Sequence, residues 1–325
     1  MVEETQDPQI DDESVLVSVG ACGMCYTDIK IWKGHGVNTP LPHVLGHEVA
    51  GTVSRLGESA KGLKEGDRVV VYLYDTCGIC EYCQSSRDNE CINRLGYLGN
   101  NRWGGYAEYV SVRVINAIKI PPNLNFEEAS LLADAGLTPY HAMVDRAQVR
   151  LNETAVLVGM GGLALVGLQI LKLMGARVIA VSRTQSKLEM ARELGADLII
   201  NSSTEDALKA VRDFTAGYGV DHVFDFVGSS ETVLQDVKYV LRGGKILLLG
   251  YQSDVQMVPV RSVRGFFTLG GSSAGTREDL RKLVQLASEG KIKSIISKEY
   301  PLEEADIALN LLHRGAVNGR LVLRP

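Results

Sequence analysis

The sequence predicts an α/β protein: a doubly wound parallel sheet with helices on both faces, accompanied by a second, strand-rich domain. Three observations carry this. The chain has 325 residues, beyond the size at which a single hydrophobic core usually stops growing, so two domains are expected. Its first third reads as short strands and tight turns. From about residue 153 onward, short apolar strands alternate with helices, the signature of a buried parallel sheet.

In the first third, residues 14–20, 48–56, 67–74 and 106–112 carry the valines and tyrosines that suit a pleated, half-buried surface. Lys64-Glu65-Gly66-Asp67 is turn chemistry between two of these runs, and the character changes after Pro121-Pro122. Residues 155–158 form an apolar strand that passes through glycines into a helix ending at Met174 and Gly175. The next strand is 177–181. A helix through Leu188 and Leu194 stops at Gly195, the usual place for a left-handed cap. Strands at 198–200, 223–226 and 246–249 follow, with helices 205–214 and 231–241 between them. The tail adds helices 277–289 and 302–314 and a last strand at 320–323. No internal repeat or low-complexity segment is present.

Composition excludes several function classes. Apolar residues are 45% and charged residues 22%, as in an ordinary globular protein. The formal net charge is -5 and no basic cluster stands out, so neither nucleic acid nor an anionic membrane is an expected partner. The stretch from Met1 to Ile10 is acidic and polar, unlike a secretory signal. The apolar run from Ala155 to Leu168 is rich in glycine and shorter than the roughly 20 residues of a spanning helix. A cytoplasmic location is expected.

Four of the six cysteines form the most specific local signal, Cys77-x2-Cys80-x2-Cys83-x7-Cys91. A closed structural zinc site takes four thiolates in a tetrahedron, and short spacings let one loop wrap the ion, with Gly78 easing the turn. Buried free thiols, partial disulfides and an iron–sulfur cluster are the alternatives. The long last gap and the lack of a proline after Cys91 weigh against the cluster.

Val156-Leu157-Val158 leads into Gly159-Met160-Gly161-Gly162-Leu163-Ala164 and then a helix. This is the G-x-G-x-x-G/A pattern of a Rossmann dinucleotide site, in its required strand–turn–helix setting. Gly159 makes the turn, Gly161 admits the pyrophosphate, and Ala164 packs helix against strand. Gly162 and Leu163 open the helix whose N-terminus faces the phosphates. The second strand ends in Ser182-Arg183, with Lys187 close behind and no carboxylate to hold a ribose 2′-hydroxyl. A hydroxyl beside cationic side chains suits a 2′-phosphate, so NADP(H) is preferred to NAD(H); the alternative is a solvated Arg183 or one stacked on adenine.

Cys25-Tyr26-Thr27-Asp28 and Gly46-His47-Glu48 say little in isolation. Taken with the two signals above, and with residues 45–53, 104–109, 133–140 and Gly319-Arg320, they give a chain that resembles the zinc-containing alcohol dehydrogenases of the medium-chain dehydrogenase/reductase superfamily over nearly its whole length. The resemblance implies a GroES-like, strand-rich catalytic domain (residues 1–135, with a structural zinc loop at about 75–95). A Rossmann domain (136–272) and a return segment (273–325) follow, with the active site in a cleft. It implies catalytic zinc on Cys25, His47 and Asp134, with Glu48 near the metal. Asp134 stands where many relatives carry Cys; zinc accepts carboxylate oxygen, so the site survives with harder character. Thr27 then bonds the substrate oxygen and Asp28 orients His47. Thr138 contacts the nicotinamide, and Arg320 the phosphate bridge. Lys30 takes the place of a relay histidine in many relatives, where a solvated lysine is the plainer reading. Cys22 is left over as a buried thiol. Trp32, Leu73 and Trp103 line the pocket or simply pack.

The implied reaction is reversible hydride transfer between a small alcohol or carbonyl compound and the cofactor, with zinc as Lewis acid. A homodimer or homotetramer is implied as well. The alternatives are a quinone or enoyl reductase on the same fold, which needs no catalytic metal, and a non-catalytic nucleotide sensor.

Overall fold

The computed structural model describes residues 2–35, 39–251 and 267–325. It divides into two compact units, Met1–Leu137 with Thr276–Pro325, and Thr138–Gly275.

The first unit is built on β1 (Ser14–Met24), an eleven-residue strand that is buried along almost all its length. The valines of this strand alternate inward: Val15, Val17 and Val19 enter a core shared with Val49, Val53, Val69, Val71 and Val110. Branched side chains pack well on a pleated surface, which is why these short runs hold as strands. Antiparallel partners surround β1. They are β2 (Glu48–Leu56), β6 (Tyr109–Arg113) and β15 (Arg320–Arg324). With β3 (Arg68–Val71), β7 (Ala117–Lys119) and β14 (Ile296–Pro301), the sheet runs β14–β15–β1–β2–β3–β7, and β6 pairs off this path with β1.

The run expected as one strand over 67–74 breaks after Val71. Tyr74 and Asp75 form β4, which pairs antiparallel with β5 (Gly96–Tyr97). This two-residue ladder closes the base of the cysteine-rich loop. The run expected from residue 106 begins only at Tyr109, because residues 104–106 donate their N–H groups to carbonyls of residues 44–46 instead.

The second unit holds a six-stranded sheet in which every neighbouring pair is parallel. Its strands are β8 (Thr154–Val158), β9 (Arg177–Ser182), β10 (Leu198–Asn201), β11 (Val220–Asp225), β12 (Val240–Leu248) and β13 (Thr268–Gly271). Their spatial order, β10–β9–β8–β11–β12–β13, is that of the dinucleotide-binding fold, with the first strand at the point where the winding reverses. Every residue of β8 is buried, as a central parallel strand requires. Helices Gly162–Leu173, Gln185–Glu193, Ala207–Phe214 and Ser230–Tyr239 connect the strands. No helix among the described residues is long and apolar enough to cross a membrane.

Candidate metal centres and nucleotide site

Cys25 follows the last residue of β1 and is the N-cap of the short helix Tyr26–Lys30. Asp28, at the third helical position, reaches back so that its Oδ2 accepts the Cys25 N–H at 2.8 Å. The helix start thereby ties the thiol and the carboxylate into one rigid turn. His47 immediately precedes β2. Asp134 lies in a widened, π-type helical turn, Leu132–Gly136, a local geometry common at functional positions. Three segments of distant sequence therefore meet.

Cys25 Sγ is 3.5 Å from Asp134 Oδ2, and His47 Nε2 is 3.4 Å from the same oxygen. One donor atom from each of the three residues lies within 4.8 Å of the others. A tetrahedral zinc ion at ordinary bond lengths sets sulfur and oxygen about 3.6 Å apart, and nitrogen and oxygen about 3.4 Å apart. The donor set fits such an ion in spacing and in chemistry. His47 is almost wholly buried, yet neither ring nitrogen has a hydrogen-bond partner, an arrangement costly for a polar group unless something else engages it. Its Nδ1 sits 3.4 Å from Asp28 Oδ1. Burial disfavours charge on the imidazole, but the Tyr97 phenol and the Asp28 and Asp134 carboxylates outweigh this and raise its pKa well above the usual value. More basic nitrogen is a better metal donor.

Glu48 is fully buried beside this cluster. Its Oε1 accepts from the Ala135 N–H at 3.1 Å and pairs with the buried Arg320 guanidinium. Its Oε2 has no hydrogen-bond partner. Burial raises the carboxyl and Arg320 opposes the rise, leaving it at about 7. Gly23 makes room for this side chain, since a Cβ there would fall 2.0 Å from Glu48 Oε2. Thr27 is half-buried, with its hydroxyl oxygen 3.6 Å from Cys25 Sγ. Lys30 is half-buried too, and burial lowers its pKa while the nearby Cys25 opposes that. Cys22 is completely buried. Trp32 and Trp103 are 52% and 40% exposed, whereas Leu73 is core.

The four loop cysteines are also gathered. Sulfur separations are 3.9 Å for Cys77–Cys83, 3.9 Å for Cys80–Cys91 and 3.6 Å for Cys77–Cys91. Thiolates around a tetrahedral zinc sit about 3.8 Å apart at ordinary bond lengths, whereas a disulfide needs about 2.05 Å. Backbone N–H groups of Ile79 and Cys80 hold the Cys77 thiol down to about 6, which favours the thiolate a metal requires. Burial and neighbouring thiols push Cys83 up to about 12, so a metal must displace its proton on binding.

In the second unit, Gly159 turns with φ +86°, and a Cβ there would meet the Val227 side chain at 2.6 Å. Gly161 is the N-cap of helix Gly162–Leu173, and a Cβ on it would meet nothing within 4 Å. That open ground lies before a helix N-terminus whose unpaired N–H groups suit a phosphate. Gly162 and Leu163 begin the helix, and Ala164 is buried beneath it. Ser182 ends β9 with its side chain buried, its hydroxyl accepting the Thr184 N–H at 3.2 Å. Arg183 is exposed, and Lys187 is half-buried with its pKa lowered by burial. Thr138 is buried in helix Leu137–His141. Sequence reasoning missed two residues at the metal cluster. Tyr97 sets its ring edgewise on His47 at 5.6 Å, and Tyr106 donates to Asp28.

Comparison with known proteins places these features in one family. The alcohol dehydrogenase GroES-like domain matches residues 11–122, and the zinc-binding dehydrogenase domain matches residues 162–289. An alcohol dehydrogenase of Geobacillus stearothermophilus is 36% identical over 99% of this chain and 95% of its own length. D-arabinose 1-dehydrogenase (NADP(+)) of Saccharolobus solfataricus is 35% identical over 100% and 94%. The crystal structure of the Aeropyrum pernix alcohol dehydrogenase superposes with a TM-score of 0.94 at 32% identity, covering 100% of this chain and 96% of that one. The chain belongs to the zinc-containing alcohol dehydrogenases of the medium-chain dehydrogenase/reductase superfamily, a family of oxidoreductases.

Proposed function

We propose that the chain transfers hydride reversibly between a primary or secondary alcohol, or the matching aldehyde or ketone, and a nicotinamide cofactor, with NADP(H) preferred to NAD(H). The observation that carries this is the meeting of Cys25, His47 and Asp134 at zinc-like spacing. Zinc held by these residues supplies a Lewis acid for the substrate oxygen, and the nicotinamide supplies or accepts the hydride. Thr27 bonds the substrate oxygen and carries its proton outward. Asp28 orients His47, and Glu48 keeps a carboxylate beside the metal donors. In the second unit, Gly159, Gly161, Gly162 and Leu163 cradle the pyrophosphate. Ser182, Arg183 and Lys187 receive the 2′-phosphate, supported by their cationic character and by the NADP+-using relative.

Cys25→Ala is expected to abolish alcohol oxidation while leaving cofactor binding intact. Bound zinc should drop from about two to about one ion per chain. Unchanged turnover in this variant favours a quinone or enoyl reductase. A panel of primary, secondary and aromatic alcohols, run with NAD+ and NADP+ side by side, reads the substrate class. A higher kcat/KM with NAD+ would remove the NADP preference and leave the rest standing.

A further inference from the structure

Residues 104–106 have no part in the chemistry assigned above, yet they grip the segment that delivers His47. Gly104 donates its N–H to Val44 O at 2.8 Å, Gly105 to Gly46 O at 2.9 Å, and Tyr106 to Leu45 O at 2.9 Å. A Cβ on Gly104 would lie 2.1 Å from Gly46 O, so the two backbones meet only because that residue is glycine. The Tyr106 ring fills the space over Gly46, where a Cβ would fall 2.4 Å from the ring.

From that seat the phenol reaches Asp28. Tyr106 Oη donates to Asp28 Oδ2 at 2.8 Å, the same oxygen that accepts the Cys25 N–H at 2.8 Å. Asp28 Oδ1 has no hydrogen-bond partner of its own and stands 3.4 Å from His47 Nδ1. One carboxylate oxygen is thus held by two donors and the other is presented to the imidazole.

We propose that Tyr106 is a positioning residue for the metal centre, fixing the rotation of the Asp28 carboxylate so that Oδ1 faces His47 and sets the plane of its ring. This rests on the reading of Cys25, His47 and Asp134 as metal ligands. A merely space-filling aromatic at this position needs no hydroxyl; the two roles part at a single oxygen atom. Burial and the Asp28 charge push the phenol's pKa up, so it remains a donor.

The test compares the zinc-loaded wild type with Tyr106→Phe, Asp28→Asn and the double variant. Zinc release into excess chromophoric chelator is followed beside kcat and KM. Two phases are expected, and the ion on the four loop cysteines serves as an internal reference. Removing a direct outer partner of a metal histidine typically costs roughly 10–100-fold, so Tyr106→Phe, one bond further out, should speed the Cys25/His47/Asp134 phase by about three- to tenfold. The reference phase and the KM for cofactor should not move. In the Asp28→Asn background the same change should add nothing. Wild-type release from Tyr106→Phe overturns the role, and so does an undiminished effect without Asp28. Acceleration of both phases also overturns it, since that reports general loosening. A single zinc per chain in the wild type overturns the metal reading itself, and the role of Tyr106 with it.

Discussion

Asp236 offers a test of the electrostatics of the cofactor-binding unit that is independent of catalysis. It sits on the inner face of helix Ser230–Tyr239 at 0% exposure, and neither carboxylate oxygen has a hydrogen-bond partner. Its neighbour Asp225 has both carboxylate oxygens engaged. Asp225 Oδ1 accepts the N–H groups of Val227 at 2.7 Å and Gly228 at 3.0 Å, and Oδ2 accepts the Thr232 hydroxyl at 2.6 Å. Burial, and then the Asp225 charge, hold the Asp236 carboxyl well above the usual carboxylate range. A group whose folded pKa is raised binds its proton more tightly in the native state. Its cost is absent below the unfolded value near 3.9, grows as pH rises, and is complete above the folded value. Asp236→Asn keeps the shape and cannot ionise. At pH 8 the variant should be more stable by about 1–3 kcal/mol, because an unsatisfied buried charge costs more than the neutral amide that replaces it. For a unit of this size that is a rise of roughly 2–10 °C in thermal midpoint. The assay is thermal unfolding followed by circular dichroism from pH 4 to pH 8 at constant ionic strength. The gain should shrink towards zero at the acid end. A variant less stable than wild type at pH 8, or a gain of constant size across the range, refutes the reasoning.

Two further outcomes follow from local geometry. Gly161→Val has open space around the new side chain and an extended backbone at φ -93°, so stability should stay within about 0.5 kcal/mol. The cofactor loses its approach, and the dissociation constant for NADPH, read by fluorescence titration, should rise by at least about tenfold, or 1.4 kcal/mol. Unchanged binding would contradict the assigned phosphate cradle. Cys80→Ser should remove the loop zinc, lowering metal content by about one ion per chain and weakening the loop in proportion to the metal-binding free energy lost. Metal analysis and limited proteolysis read both effects; full zinc retention would dismiss a structural ion there.

The parallel sheet was legible because its strands are continuous apolar runs bounded by glycines. Gly159, Gly175 and Gly195 all adopt positive φ where the sequence demanded a turn or helix end. The cysteine loop was legible from spacing alone. The proposed catalytic trio was not, because Cys25 and Asp134 are 109 residues apart and neither carries a local pattern; only resemblance joined them. Strands β13 and β14 escaped notice for a different reason. Thr-Leu-Gly-Gly has little strand preference of its own, and Ile296–Pro301 is a mostly exposed edge strand with mixed polarity. Tyr106 was read as a strand residue, since nothing in its neighbours announces a bond to a carboxylate 78 positions earlier. Arg320 was expected at the cofactor's phosphate bridge, and in the structure its guanidinium is joined to Glu48.

The pairing of β15 with β1 has a consequence for biosynthesis. Residues 22–24, directly ahead of Cys25, take Leu321, Val322 and Leu323 as their partners on one side. The seven cysteine, histidine and aspartate residues proposed to bind metal lie between residues 25 and 134, and all are translated well before β15. The cysteine loop lies wholly within that stretch, whereas the strand that ends at Met24 gains this neighbour only once residues 320–324 have been made. A premature stop before β15 would spare every proposed donor atom and still remove the strand that pairs with residues 22–24 beside Cys25.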